Sequence, residues 1–513
     1  MTKLSFFLAA LAIITPALAQ NDLKYQLPPE AMVKLVDAAP TPLLSLSPAH
    51  AAGPRRTLIE QSASLPTIAD LAEPELRLAG LRFNPKANAQ SRTRYFISLK
   101  LQELPLSGAK TAETSITGLP AHPHILYPQW SPDGRHIAFA NQEPAGLSLW
   151  IIDVARAHAA PVPGLRLNSV LTTPLTWLND TALAVLATPA ARGPEPKHSD
   201  VPTGPTVEEN LGKATPAPTY EDLLKTPYDE AVFTYFAAAQ IEEVRLSGEP
   251  RKIGKPGVFA SLDSSPDGKY LLAEELHTPF SYHQPYDRFP TRRSVYTVAT
   301  GASKVLDDAP LIDNLPIDRD AVEPGPREFG WRNDQPATVA FVKAADGGDP
   351  KKESAIRDRV YQIEAPFTTP GDLVGQAKVI AELPIRFRGI EWGNDHLAIV
   401  TEMRWKDRRL VLAAIDPATA KITPLYEGSM QDRYHNPGSP MLERNAQGKL
   451  VLQTTADGNQ VYFSGSGASP KGDEPFVALM PVNSGPKPQE TRIWQSRPPY
   501  YEITSAVLPV DSG

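Results

Sequence analysis

The sequence predicts an all-β protein: a seven-bladed β-propeller of four-stranded antiparallel blades, with a short N-terminal arm and a disordered Pro-rich insertion. A turn motif, Trp-Ser-Pro-Asp-Gly at Trp130–Gly134, recurs in degraded form along most of the chain. A second hairpin signal follows most copies. Proline makes up 54 of 513 residues, about twice the usual ~5%. Many short strands separated by turns account for these observations.

Residues 1–19 have the pattern of a signal peptide. Lys3 gives a positive start, Leu4–Ile14 an apolar run and Ala17–Ala19 a small-residue cleavage site. We therefore expect cleavage after Ala19 and a periplasmic or secreted protein. The apolar run is shorter than the roughly 20 residues that a membrane helix needs, so no membrane span is expected.

The charge balance and the absence of cysteine exclude several classes of function. Lys and Arg number 51 against 58 Asp and Glu, and this net charge of −7 does not favour nucleic acid as a partner. The chain has no cysteine, which excludes disulfides, thiolate zinc sites and a cysteine nucleophile. Stability has to come from a buried core.

Residues 20–41 are predicted to form an arm ahead of the propeller. Pro28 and Pro29 open it, and the apolar residues between Ala31 and Val36 predict one short helix.

In the best copy of the repeat, each residue of the turn has a mechanical role. Ser131 to Gly134 fill the four positions of a type I turn, because proline pre-sets φ at the second position and glycine accepts a left-handed conformation. Ile137 and Phe139 then alternate with smaller residues, as in a half-buried strand. The unit predicts a β-hairpin.

Variants of this turn, each followed by an apolar run, recur along the chain. They are Trp177–Asp180, Ser265–Gly268, Trp331–Asp334, Trp392–Asp395 and Asn445–Gly448, with a worn copy at Leu46–Pro48.

A second apolar run ending in a small turn follows most copies, for example Leu149–Asp153 and Val411–Pro417. Two hairpins per repeat make a four-stranded blade, and the worn first copy brings the count to seven over residues 42–498. The alternative, a β-sandwich with common turns, does not explain one turn-strand unit repeated so often. Neither terminus offers a convincing closing strand, so we expect an open ring.

One interval is widened by an insertion. Residues 188–218 are rich in Pro, Ala and Gly and are expected to form a mobile surface loop. Apolar residues return between Glu221 and Phe236, where a short helix is predicted.

Several stretches resemble the N-terminal propeller of prolyl oligopeptidase-type serine peptidases, specifically the glutamyl endopeptidase branch, over roughly residues 28–503. The segments that carry the resemblance are Pro74–Pro85, His277–Pro290, Pro326–Arg332, Asp346–Pro350 and Asp432–Pro440.

The resemblance implies a Ser-Asp-His triad on an α/β-hydrolase domain after the propeller, with the serine on a Gly-x-Ser-x-Gly elbow. That motif occurs nowhere in the chain; Gly465–Gly467 comes nearest and fails the spacing. We therefore assign no catalytic residue. Residues 499–513 are interpreted as a tail truncated before the hydrolase domain.

Other chemistries find no support in the sequence. It has no phosphate loop, no dinucleotide fingerprint and no His-Glu-x-x-His motif, so no cofactor is expected. His122 and His124 could present two imidazoles to a metal, but without a third ligand nearby a solvated loop is favoured. The pair Glu274-Glu275 could hold a substrate's N-terminal amine, as in some relatives, but an exposed strand end is favoured.

The candidate substrate-binding residues lie in two loops. In the family architecture, such loops on one propeller face look onto the hydrolase active site, where arginine could pair with an acidic substrate side chain. The alternative is that the arginines anchor the loops to the blades. The candidates are Tyr282, His283, Tyr286, Arg288, Arg433 and Tyr434.

Three hypotheses follow. In the first, the chain is the substrate-gating propeller of an exported glutamyl endopeptidase-like peptidase, inactive by itself, with a peptide substrate and a hydrolase domain as partners. In the second, it is a free-standing periplasmic scaffold that binds peptides or proteins through side chains such as Trp405 and Tyr434. In the third, a separately encoded hydrolase domain docks in trans.

Overall fold

A computed structural model describes residues 27–48, 55–105, 109–198, 219–367, 372–482 and 490–508. The predicted signal peptide lies outside these residues, as do positions 199–218 of the Pro-rich insertion and 509–513 of the tail.

Short antiparallel strands dominate the described residues, with few helices. The helices are α1 (Glu30–Val36), α2 (Ile68–Ala72), α3 (Pro227–Ala237) and α4 (Leu373–Gln376), and Tyr286–Arg288 form a 3₁₀ turn. The strands up to residue 187 are β1 (Leu43–Leu46), β2 (Arg55–Ser62), β3 (Leu76–Leu78), β4 (Leu81–Asn84), β5 (Ala89–Gln90), β6 (Phe96–Leu104), β7 (Glu113–Ser115), β8 (Ile125–Trp130), β9 (His136–Glu143), β10 (Gly146–Asp153), β11 (His158–Pro161), β12 (Leu175–Asn179) and β13 (Ala182–Ala187). Those that follow are β14 (Ala239–Arg245), β15 (Arg251–Ser264), β16 (Tyr270–Leu276), β17 (Thr291–Thr297), β18 (Ser303–Ala309), β19 (Pro326–Trp331), β20 (Thr338–Ala344), β21 (Asp358–Glu364), β22 (Lys378–Leu383), β23 (Arg386–Asn394), β24 (Leu397–Arg404), β25 (Arg409–Asp416), β26 (Lys421–Ser429), β27 (Ser439–Pro440), β28 (Leu442–Arg444), β29 (Leu450–Leu452), β30 (Gln460–Gly465), β31 (Ala468–Ser469), β32 (Gly472–Asp473), β33 (Phe476–Pro481) and β34 (Thr491–Gln495).

The main strands pair antiparallel with their neighbours along the chain. The first sheet has the order β1-β2-β6-β8-β9-β10-β11, with β7 on β6, and the second runs from β12 to β18. Three four-stranded sheets follow: β19 to β22, β23 to β26, and β27-β30-β33-β34. Consecutive antiparallel sheets of this kind form a β-propeller, so the predicted fold class is confirmed. The first two sheets run on past four strands, so the number of blades stays a prediction.

The repeated turn has the predicted geometry. In the first copy Ser131 Oγ donates to Asp133 Oδ1 at 2.6 Å and accepts from the amide of His136 at 2.9 Å. The amide of Gly134 closes the turn on the Ser131 carbonyl, and its φ is +67°. The side chains of the turn therefore satisfy its hydrogen-bonding groups locally. Because the turn needs no outside partner, the same motif can close hairpins in several blades.

Three of the four tryptophans of the motif, Trp130, Trp177 and Trp331, join their strand to a preceding one. Trp130 Nε1 donates to the Ser45 carbonyl at 3.3 Å, and Trp177 Nε1 to the Gln129 carbonyl at 3.1 Å. The indole of Trp331 makes a 3.1 Å bond to the carbonyl of Asp263 in the same way. The motif therefore sets the packing between blades as well as the turn.

Clusters of buried apolar side chains fill the spaces between consecutive groups of strands. Leu58 and Phe139 belong to a cluster within the first sheet, and Ile399 clusters with Phe463 between the fourth and fifth sheets. Burying one such side chain contributes about 1.5–3 kcal/mol. In the described residues no such cluster joins the fifth sheet to β1 and β2.

One predicted copy of the turn is wrong. The copy in the fifth sheet is Thr455–Gly458, where Thr455 Oγ1 donates to Asp457 Oδ1 at 2.5 Å and accepts from the amide of Gln460. Asn445–Gly448 is instead the tip of a separate hairpin, β28 and β29. Its Asn-x-x-Gly sequence closes a tight turn, but this turn does not enter the blade.

This hairpin, residues 442–452, crosses the centre of the ring. Asn445 Nδ2 donates to the Asn333 carbonyl at 2.8 Å, and Asn333 Nδ2 returns a 2.9 Å bond to the carbonyl of Leu450. Lys449 Nζ lies 2.8 Å from Asp263 Oδ1. The fifth sheet thereby contacts the third and the second across the axis. We call it the central hairpin.

The junction between the last and first sheets is polar. A pocket of about 220 Å³ lies there, lined by residues that include Ser45, Arg55, Glu443 and Gln453. The central hairpin also reaches the first sheet, because Gly448 packs on Pro132. At this junction polar contacts take the place of an apolar cluster among the described residues, and the expected open ring stays a prediction.

The two faces of the propeller differ. In an antiparallel run of four strands, the turns after the first and third strands lie at one end, and the connections after the second and fourth lie at the other. The repeated turns define the turn face. The long connections, among them residues 277–290, 310–325 and 430–438, define the loop face.

Two helices were predicted and both are present. Helix α1 lies in the arm and buries none of its residues. Helix α3 begins later than predicted, because Thr226 caps it, Pro227 fills its first position and Asp229 completes the capping box.

Candidate functional site

The first candidate loop, residues 277–290, is held at both ends and in its middle. The amide of His277 donates to the Pro290 carbonyl at 2.9 Å, which closes the loop at its base. Ser281 Oγ accepts from the amides of His283 and Gln284. The loop is therefore pre-organised by its own backbone bonds.

An aromatic cluster supports this loop from below. Phe280 and Phe289 stack with ring centroids 4.9 Å apart, and both meet Phe233 of α3 edge to face. Tyr282 and Tyr286 are partly buried against the same cluster. Both candidate tyrosines therefore anchor the loop through their rings.

The candidate tyrosines also have perturbed hydroxyls. Burial, together with a hydrogen bond to Glu230, raises the pKa of Tyr282 to about 12. Burial beside Asp287 raises the pKa of Tyr286 as well. Both hydroxyls stay protonated at neutral pH and can act as hydrogen-bond donors.

Arg288 and His283 stand at the surface of the loop. His283 is exposed. The backbone carbonyl of Arg288 accepts from the Ile312 amide at 3.0 Å, which ties the loop to the connection after β18. Within the described residues the guanidinium of Arg288 makes no ion pair. The alternative in which this side chain anchors the loop to a blade is therefore not supported.

Arg433 and Tyr434 lie in the connection after β26. Arg433 Nη2 reaches both carboxylate oxygens of Asp473, at 3.0 and 3.2 Å. Asp432 caps the turn by accepting from the Tyr434 and His435 amides. Arg433 therefore pins two loops together, as the anchoring alternative expects, whereas Tyr434 stays exposed.

The structure does not join the two candidate groups. Both loops lie on the loop face, but no hydrogen bond or ion pair links 277–290 with 432–438 among the described residues.

Glu243 and the pair Glu274-Glu275 have structural roles. Glu243 is buried and accepts from Arg245 at 2.9 Å and from Arg251 Nε at 2.8 Å. Glu274 pairs with the buried Arg293 at 2.9 Å, and burial raises the pKa of Glu275. Glu274 and Glu275 are half-buried, so the expectation of an exposed strand end is wrong.

Sequence reasoning missed a pocket of about 300 Å³ on the loop face, beside α2. Tyr95 stacks on His124 with centroids 4.0 Å apart and donates to Asp70 at 3.0 Å. Although burial acts in the opposite direction, hydrogen bonds from Thr67 and Tyr95 hold the pKa of Asp70 below its usual value. In the sequence, His122 and His124 pointed only in part to this pocket, which His124 lines. Across the described ranges, no group of three or more His, Asp or Glu side chains is arranged to hold a metal ion.

A second pocket, of about 290 Å³, lies between the loop that carries Arg288 and the connection after β18. Tyr220, Gln284 and Arg319 line it together with Arg288. Only Arg288 could be found from the sequence, because the other three come from separate connections or give no signal of their own.

The chain is similar to two curated plant proteins over nearly all of its length. It is 35% identical over 500 residues to a probable chloroplastic glutamyl endopeptidase of Oryza sativa subsp. japonica, and 36% identical over 501 residues to one of Arabidopsis thaliana. Each match covers 94% of this chain. The chain is a relative of the glutamyl endopeptidases. It spans about half the length of the curated relatives it matches, 52% and 51% respectively. No family model matches the chain.

Several solved structures match this glutamyl endopeptidase relative at low similarity. The β-propeller domain of the Trilobed protease from Pyrococcus furiosus is 11% identical with a TM-score of 0.37, covering 88% of this chain and 96% of that one. An oligogalacturonate lyase in complex with manganese is 11% identical with a TM-score of 0.41, covering 87% and 98%. The tricorn protease is 12% identical with a TM-score of 0.39, covering 85% and 39%. TM-scores this low carry no argument about the activity of the chain.

No helix among the described residues has the length and apolar character needed to cross a membrane.

Proposed function

We propose that this chain is the propeller portion of an exported peptidase of the glutamyl endopeptidase type, in which it restricts substrate access to a hydrolase domain. The proposal extends to catalysis: these 513 residues by themselves hydrolyse no peptide, and the nucleophile belongs to the hydrolase domain.

The observation that carries the proposal is a combination of similarity and missing chemistry. The chain aligns over 94% of its length with about half of two glutamyl endopeptidases. Within the printed sequence no Gly-x-Ser-x-Gly elbow occurs. A serine needs such a strained turn to be exposed and activated in an α/β-hydrolase domain.

Gating is supported by the difference between the two faces. On the turn face, the central hairpin occupies the axis through Asn445 and Lys449. On the loop face, long pre-organised connections surround two pockets. A peptide would therefore approach from the loop face, and folded proteins would be excluded by size.

The experiment uses the purified chain without its predicted signal peptide, residues 1–19. We expect no labelling by a fluorophosphonate probe and no hydrolysis of a chromogenic Leu-Leu-Glu peptide, whereas a full-length glutamyl endopeptidase reacts with both. Labelling of any serine in the chain would refute the assignment of catalysis to another domain.

Gating is tested in a chimera that joins this chain to the remaining half of the Oryza sativa relative. The chimera should cleave the short peptide and spare a folded protein that contains exposed glutamates. Equal cleavage of both substrates would contradict the gating role. Export is tested separately by N-terminal sequencing of the protein recovered from the periplasm, with Gln20 expected first.

A further inference from the structure

The cavity of about 220 Å³ at the junction between the last and first sheets has walls from three parts of the chain. Ser45 of β1 and Arg55 of β2 come from the first sheet. Arg444 comes from the central hairpin, and residues 505–507 belong to the lining as well. A cavity of this volume can hold a small ion together with several water molecules.

Arg55 has no close partner in the described part of the chain. Its Nε atom is buried without a hydrogen-bond partner there. Burial lowers the pKa of Arg55, although the carboxylate of Glu443 acts in the opposite direction. The planar donors of this guanidinium therefore remain available to a ligand in the cavity.

Arg444 is the second cation that lines the cavity. Its Nη1 atom donates to the Gly448 carbonyl at 2.7 Å within the central hairpin. Burial lowers its pKa, and none of the carboxylates that the structure describes forms an ion pair with it. Other arginines of the molecule, such as Arg293 and Arg386, are bound to acidic side chains. Partial burial of a charge without a counter-charge costs free energy, which a bound anion offsets.

The charged side chains around the cavity leave one positive charge in excess. Arg55 and Arg444 contribute two positive charges, and Glu443 is the single acidic residue among the described residues of the lining. One monovalent anion therefore makes the site neutral, whereas a dianion such as sulfate would make it negative. The hydroxyl groups of Ser45 and Ser505 add further possible donors.

We propose that this cavity binds a small monovalent anion, such as chloride or formate, through Arg55 of the first sheet and Arg444 of the central hairpin. The anion accepts charge-assisted hydrogen bonds from the two guanidinium groups. It thereby acts as a structural ion that holds the last sheet to the first. The inference goes beyond the proposed function and is independent of it, because it needs neither a peptide nor a hydrolase domain.

The test measures how the purified chain broadens the nuclear magnetic resonance signal of chloride. We expect excess broadening that saturates with sodium chloride and that sodium formate reverses. Arg55→Gln and Arg444→Gln should each weaken chloride binding by about tenfold or more, because either change removes the excess positive charge. Arg56→Gln is the matched control, since Arg56 already pairs with Glu103 at 3.1 Å, and should bind chloride as the unsubstituted chain does.

Glu443→Gln should give a gain of binding, which a failure to fold cannot imitate. Because the variant loses the negative charge in the lining, it should bind chloride about threefold or more tightly than the unsubstituted chain.

Thermal unfolding gives a second measure. Chloride at a hundredfold excess over its Kd should raise the unfolding midpoint of the unsubstituted chain by about 2 °C or more beyond the change in Arg444→Gln.

The proposal fails if the unsubstituted chain produces no excess broadening, or if Arg444→Gln produces the same broadening. Weaker chloride binding by Glu443→Gln would also overturn it, as would displacement of chloride by sulfate at equal concentration. A cooperative thermal transition in each variant shows that it is folded.

Discussion

At the scale of single residues, buried carboxyl groups are the main titrating features of the core. Glu402 is 2% exposed and accepts one bond, from the Ile385 amide at 3.2 Å. Burial raises its pKa from 4.5 to about 7. Glu60, 6% exposed, has a pKa raised to about 7 for the same reason.

These shifts predict how stability depends on pH. Since the folded pKa of Glu402 exceeds the unfolded value, its favourable contribution is complete below pH 4.5 and is lost as the pH rises through 7. Glu402→Gln should raise the free energy of unfolding at pH 8 by about 1–3 kcal/mol and flatten its decline between about pH 5 and 8. Urea titrations at a series of pH values measure both effects.

The control is Glu353→Gln, at an exposed position. It should leave the pH profile unchanged within about 0.5 kcal/mol. A Glu402→Gln profile as steep as that of the unsubstituted chain would show that Glu402 is ionised at no cost in the folded state. Some slope remains in either case because Glu60 titrates in the same range.

The sequence showed which residue types could bind a carboxylate. It could not show which of these side chains already have a partner in the folded chain. It identified Arg288 and Arg433 as equivalent candidates because each offers a cationic side chain in a candidate loop. The structure distinguishes the two. Arg433 pairs with Asp473, 40 residues further along the chain, whereas Arg288 pairs with no described carboxylate. Gln284 and Arg319 gave no signal, since only the tertiary structure brings them to one pocket with Arg288.

At the scale of single elements, the repeated turn offers a matched pair of glycines. Gly268 and Gly458 occupy the same place in two copies, with φ of +67° and +70°. A Cβ on Gly268 would clash with the Leu178 carbonyl, whereas a Cβ on Gly458 would meet nothing within 4 Å. The two positions separate backbone strain from packing.

Gly458→Ala should lower the free energy of unfolding by about 1–2 kcal/mol, the usual cost of a left-handed alanine. Gly268→Ala should cost about 2 kcal/mol more than this, because the neighbouring strand has to move. Urea unfolding of both variants measures the difference. Equal losses would mean that the contact between the turn and β12 relaxes without cost.

The same element shows where prediction from sequence ends. Copies with Ser-Pro-Asp-Gly were correct in position and geometry, because local side-chain bonds determine that turn. Asn445–Gly448 was assigned to the wrong role, since its local chemistry also closes a turn. Only tertiary contacts distinguish a hairpin on the axis from a turn within a blade.

At the scale of the whole molecule, the central hairpin joins sheets that are not neighbours in the ring. Replacing residues 443–451 by a short Gly-Ser link removes its contacts with Asn333, Asp263 and Pro132 at once. We expect faster amide hydrogen exchange in β1 and β2, because the junction between the last and first sheets then loses its support. Exchange in β20 should change little.

Mass-spectrometric hydrogen exchange on the two proteins measures this. The single substitution Asn445→Ala is a milder comparison that removes one side-chain bond, at a cost of about 1 kcal/mol. Unchanged exchange in β1 and β2 after replacement of the hairpin would show that the polar junction holds without it.

One long strand determines which parts of the ring can move relative to each other. The 14 residues of β15 pair first with β14 and then, after a change of partner, with β16. Tilting one half of the second sheet against the other would therefore require this backbone to bend and its ladders to break. The second sheet therefore moves as a rigid unit. Any opening motion of the propeller that admits a peptide is confined to the junctions between separate sheets.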